Sequence, residues 1–199
     1  MSMRVNLPVV LDLNMLWGCA IKATSWQAFI ISSIVYRPEE QFDKPSLLSR
    51  SSCPELSSKS NFLIAFLRHV GCPFAERDVK NLVVWAKENP DVRVFVVSHG
   101  TRQATNEWLV KIGGAEGLAV IIDKQRELYA EWGLGDSNAL HFLGLSSLLG
   151  VVRLWFSGIF NRSASGTRWQ RSGIFLIKNG QISWRFIPKT ANEFSLPDM

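Results

Sequence analysis

The chain has 199 residues, 47% of them hydrophobic and 20% charged, with a net charge of +5. This suits one globular domain with a proper core and excludes a disordered chain. The basic excess lies late, where Arg153, Arg162, Arg168, Arg171, Lys178, Arg185 and Lys189 meet only Glu193 and Asp198; with no long Lys/Arg run and no nucleic-acid motif, it reads as a solvated face, and no nucleic-acid partner is expected.

Residues 1–60 read as an N-terminal extension without clear structure. Its apolar stretch from Leu7 to Val35 is broken by Asp12, Asn14, Lys22 and Gln27. It falls short of the roughly 20 uninterrupted apolar residues that a spanning helix needs. Arg4 followed by Val9-Val10-Leu11 is a poor secretory signal. A soluble, cytoplasmic protein with no membrane span is expected. Trp26 to Val35 fits a short helix or a strand. Ser46 to Ser60 contains seven serines, which is loop chemistry and places a boundary near Ser60.

Residues 61–199 carry the main domain. Asn61–His69 is a short apolar run that predicts a buried strand. Gly71-Cys72-Pro73 is a turn, and Pro73 suits the first position of a helix. That helix buries Ala75, Val79, Leu82, Val83 and Ala86 and stops at Asn89-Pro90. Val92–Ser98 predicts a second buried strand. Thr101–Ile112 predicts a second helix with Ala104, Trp108, Leu109 and Ile112 inward, ended by Gly113-Gly114. Leu118–Asp123 predicts a third strand. Gly173–Lys178 and Gln181–Ile187 predict a hairpin around Asn179-Gly180. Strands alternating with helices imply a parallel start, and the final hairpin makes the sheet mixed. The class is α/β, a thioredoxin-like order of mixed sheet flanked by helices, with a helical insertion at 124–171 before the hairpin. Within the insertion Leu145, Leu148, Leu149, Val152, Trp155, Phe156 and Ile159 follow helical spacing, which predicts a helix packed over the domain by that stripe. An interfacial membrane helix is the other reading of the same stripe.

Three cysteines, Cys19, Cys53 and Cys72, are odd in number and widely spaced, with no CxxC pair and no Cys/His cluster. No disulfide framework, metal site or cofactor is expected, and a reducing compartment fits. Cys72 stands where a strand ends and a helix begins, so the helix N-terminus favours its thiolate. Arg68 and His69 add positive charge beside it. The alternative is a small buried thiol, the usual state of a free cysteine.

The stretch RHVGCPFAERDV around Cys72 resembles the redox loop of the peroxiredoxin-like branch of the alkyl hydroperoxide reductase/thiol-specific antioxidant family. The likeness extends through Asp123, Leu128-Tyr129 and Glu131-Trp132-Gly133-Leu134-Gly135, through Arg168-Trp169-Gln170, and through Trp184 to Pro188. It covers about residues 61–199. It implies a thioredoxin fold, with Cys72 as the attacking cysteine, and a homodimer becomes plausible by resemblance. Three positions depart from the pattern. Ala75 replaces the second cysteine, His69 replaces a hydroxyl-bearing residue, and Ala65 stands where a proline is usual. Cys53 is the remaining candidate for a resolving partner.

Three functions are therefore open. The first is a repurposed enzyme without a redox cofactor that cyclises or isomerises an apolar small molecule in a biosynthetic, natural-product pathway. Shape and hydrogen bonds from His69 or an arginine, Arg68 among the candidates, would do its work. Its pocket would be built by Trp132, Trp155 and Trp169 with Arg153, Arg171 and His99. The second is a one-cysteine thiol peroxidase using Cys72. The third is a non-catalytic binding protein.

Overall fold

The computed structural model describes residues 10–12, 61–137 and 145–199. Cys19, Cys53, His141 and the Trp26–Val35 stretch lie outside the described residues. Six strands form one sheet: β1 (Val10–Asp12), β2 (Phe62–Phe66), β3 (Arg93–Ser98), β4 (Leu118–Ile122), β5 (Gly173–Lys178) and β6 (Gln181–Phe186). Their order is β1-β4-β3-β2-β5-β6. β1, β4, β3 and β2 run parallel, and β5 and β6 close the sheet antiparallel. The helices are α1 (Pro73–Glu88), α2 (Arg102–Lys111), α3 (Glu127–Glu131) and α4 (Leu145–Phe156). This is the thioredoxin-like α/β arrangement. Strand β1 lies inside the segment read as an extension and pairs with β4.

Each central strand is apolar on both faces because both faces are covered. Leu63, Ala65, Val94, Val96, Val120 and Leu176 pack on the side of α1, α2 and α4. Phe62, Ile64, Phe66, Phe95, Phe175 and Ile177 pack on the side of α3, against Leu128, Tyr129, Trp132 and Leu134. In α1 the buried positions include Phe74 and Trp85, while Val83 and Ala86 are only partly buried. In α2, Thr105 takes the inward position expected of Ala104, because its hydroxyl pairs with Ser98 at 3.0 Å under the sheet end.

Local chemistry explains the boundaries. Pro73 opens α1, and Thr101 caps α2 by accepting the Ala104 amide at 3.2 Å. The Asp123 carboxylate starts α3 by accepting the amides of Glu127, Leu128 and Tyr129 at 3.0, 2.9 and 3.2 Å. The hairpin turns on Asn179 and Gly180, both left-handed at φ 53° and 77°, as a two-residue turn requires.

Helix α4 forms where the spacing predicts it, but its orientation is the reverse of the expectation. Leu148, Leu149, Val152, Trp155 and Phe156 face outward, while Ser147, Gly150 and Leu154 are buried. The reason is close approach: a Cβ at Gly150 would collide with the Asn192 side chain. The side of α4 that carries Gly150 is the one that fits against the C-terminal segment.

Tyr129 locks α3 to the sheet. Its buried hydroxyl lies 2.7 Å from the Leu67 carbonyl and 2.8 Å from the Val97 carbonyl, so one hydrogen is shared between two strand ends. Tyr129→Phe is expected to lower stability by about 1–2 kcal/mol, read from the urea midpoint.

Candidate functional site around Cys72

Pairing of β2 with β3 continues one residue past the strand, where the Leu67 amide donates to the Val97 carbonyl at 2.9 Å. The chain then reverses. Gly71 takes φ +88°, Cys72 is extended at φ −74° and ψ 130°, and the Glu76 amide donates to the Cys72 carbonyl at 3.0 Å as α1 begins. Cys72 is thereby held at the N-cap of a 16-residue helix.

A strap from the insertion crosses this turn. Val70 and Ser165 exchange backbone hydrogen bonds, both 3.2 Å, and the Arg162 amide donates to the Gly71 carbonyl at 2.9 Å. The strap also receives Arg68 Nη2 at the Arg168 carbonyl, 3.3 Å, and His99 Nε2 at the Thr167 carbonyl, 3.0 Å. Glu76, 2% exposed, anchors it from below. The Glu76 carboxylate accepts from Lys80 Nζ at 2.8 Å and from Arg162 Nε at 3.4 Å. Cys72 is closed in, at 4% exposure.

Electrostatics at the sulfur are opposed. Burial pushes the Cys72 thiol above its ordinary value, and the Arg68 guanidinium and the amides of Ala75 and Phe74 pull it down without winning. Burial also lowers His69, whose Nδ1 donates to the Val70 carbonyl at 2.9 Å, and Arg68 and Arg168 reinforce that shift. His99 is lowered to about 4, chiefly by burial. Both rings are therefore neutral at pH 7.

Arg68, His69, Cys72 and His99 thus gather at one end of the sheet beneath the strap. The other expected pocket residues do not converge there. Trp132 is in the core on the α3 side, 4.9 Å from Phe175 and 5.5 Å from Phe66, because its strand neighbours present aromatic side chains to that face. Trp155 and Arg153 lie on the outer face of α4, Trp169 is exposed past the strap, and Arg171 is half-buried beyond it. A small cleft lies elsewhere, lined by Leu67, Asp78, Ile174, Phe186 and Phe194; Cys72 does not line it. Burial raises Asp78 there to about 6, against the pull of Arg77. Among the described residues no group of three His, Cys, Asp or Glu side chains could hold a metal.

The sequence analysis gave no site role to Glu76, Arg162 or Tyr129. Only Glu76 left a signal, an acid one turn beyond Cys72 on the helix. The pairing of Arg162 with Glu76 spans 86 residues and leaves none.

Two outcomes test this geometry. An added Cβ at Gly71 would strike the Ser163 carbonyl, at a φ that L residues avoid. Gly71→Ala is expected to cost about 2 kcal/mol or more and to speed iodoacetamide alkylation of Cys72 as the strap loosens. The second concerns His99, whose native pKa is about 4 against an ordinary 6.5. Its contribution is complete above pH 6.5 and is lost as pH falls toward 4, by up to about 3 kcal/mol. Stability of the chain measured against His99→Asn should fall over that window and be flat above it.

Residues 82–190 match the profile of a family described as "AhpC/TSA antioxidant enzyme". The match begins beyond the Cys72 loop, so the role of Cys72 rests on its geometry. No curated protein sequence matches this chain. Among solved structures, a mutant of peroxiredoxin 6 from Arenicola marina is similar at 12% identity and TM-score 0.48, over 69% of this chain and 56% of that one. A thiol peroxidase from Chromobacterium violaceum is similar at 12% identity and TM-score 0.47, over 68% and 65%. The bacterioferritin comigratory protein of Xanthomonas campestris is similar at 14% identity and TM-score 0.44, over 64% and 67%. The chain spans between about half and two thirds of the length of these structures. With more than half of its residues under the family profile, the chain belongs to the AhpC/TSA antioxidant enzyme family.

Proposed function

We propose that this protein is a one-cysteine thiol peroxidase in which Cys72 attacks the peroxide. The observation that carries this reading is the placement of Cys72 at the N-cap of α1, next to Arg68, in a chain of this family. The first-turn amides of α1 and the Arg68 guanidinium favour negative charge at the sulfur and at the departing oxygen.

The strap controls both access and reactivity. With the strap down, burial keeps the thiol protonated. Lifting it admits water and peroxide together and removes the desolvation that holds the pKa up. Cys72 then loses its proton to water, and the thiolate attacks one peroxide oxygen. The S–O bond forms as the O–O bond breaks, and the leaving oxygen takes a proton to become water or an alcohol. Cys72 becomes a sulfenic acid, oxidised by two electrons. Ala75 stands where a near partner would have to be, so no disulfide forms across that turn. An external thiol condenses with the sulfenic acid, releasing water, and a second thiol frees Cys72 by exchange. A cytoplasmic, thiol-rich compartment would supply both.

Turnover of an apolar molecule without redox chemistry would want an enclosed pocket. The separation of Trp132, Trp155 and Trp169 gives that reading no support.

Brief, low-dose peroxide followed by dimedone should label Cys72 much faster than Cys19 or Cys53, read by mass spectrometry. Cys72→Ser should abolish thiol-dependent peroxide consumption. Equal labelling of the three cysteines, or full activity in the serine variant, would sink the proposal.

A further inference from the structure

The outward face of α4 is apolar where a surface helix should be polar. Phe156 is 81% exposed, Leu149 61%, and Leu148, Val152 and Trp155 about half. At 100° per residue these five side chains share one arc, with Arg153 at its border. Phe160, just past the helix, is exposed as well. The inward side holds Ser147, Gly150 and Leu154, with Val151 partly buried beside them, and turning the arc inward would drive the helix away from Asn192. Along the chain, charge through this stretch has one sign. Between Asp136 and Glu193 the sequence has no acidic residue, while Arg153, Arg162, Arg168, Arg171, Lys178, Arg185 and Lys189 fall in that interval.

We propose that this face docks the protein on the surface of an anionic phospholipid bilayer. Helix α4 lies flat, with Leu149, Val152, Trp155 and Phe156 in the boundary between headgroups and acyl chains. Arg153 meets lipid phosphates and carboxylates at the edge. Apolar area bordered by a cation is the pattern that such binding needs, and tryptophan and phenylalanine are the side chains that seat at that depth. A bilayer fits the charge better than a second copy of this chain, because a two-fold pairing would set Arg153 and its basic flanks against themselves. The helix is 12 residues long, about 18 Å, and the hydrocarbon core is about 30 Å thick, so α4 rests on the membrane. No helix among the described residues is long and apolar enough to cross one. The proposal stands apart from peroxide chemistry and does not require it.

The test is co-sedimentation of the full chain with vesicles of phosphatidylcholine alone and with about a third phosphatidylserine. The chain should pellet with the anionic vesicles and much less with the neutral ones, and added salt should weaken the binding. Leu149→Ser with Phe156→Ser should lower partitioning about tenfold or more, with unchanged circular dichroism because both sites are exposed. Arg153→Glu should lower it about fivefold or more. Failure to pellet with anionic vesicles at low salt overturns the proposal, as does equal binding to neutral vesicles. Binding that ignores all three substitutions overturns it too. Sedimentation velocity in the absence of lipid supplies the last arm. A dimer broken by the double substitution, in a chain that does not bind vesicles, assigns the face to a second copy instead.

Discussion

The exchange of backbone hydrogen bonds between Val70 and Ser165 is the contact on which the candidate site depends. It ties the insertion to the turn that leaves β2, and Gly71 allows it, since a side chain there would meet the Ser163 carbonyl. Beside this clasp lie the buried Cys72, the Arg162–Glu76 ion pair and the hydrogen bond from His99 to the Thr167 carbonyl. Backbone pairing of this kind is indifferent to side-chain identity. Side chains add the Arg162–Glu76 ion pair and the bonds from Arg68 and His99 to strap carbonyls.

Burial and charge compete at the sulfur. The turn from β2 into α1 places Cys72 where amides and a guanidinium favour a thiolate, and burial opposes them. The same burial lowers His69 and His99. Arg68 is thus the fixed positive charge among the four residues gathered at this end of the sheet.

Helix α4 repeats the same lesson of fit overruling hydropathy. An apolar stripe at helical spacing ordinarily turns inward, because transfer from water favours it. Here Gly150 lies so close to Asn192 that shape decides, and the small residues take the inner side. The apolar stripe is left outward, in a stretch that carries only positive charge.

Period and punctuation in the sequence determined the strands β2 to β6, the helices α1 and α2, the Asn179-Gly180 turn and the place of Cys72 between strand and helix. Those are local properties, set by alternation, capping and turn chemistry within a few residues. The tertiary structure alone decided that Trp132 joins one core while Trp155 and Trp169 remain outside, and that α4 turns its apolar stripe outward. It also decided that a strap some 90 residues downstream crosses the turn beside Cys72. Each of these depends on two segments distant in the chain competing for the same space, and a single sequence does not state which of its segments will meet.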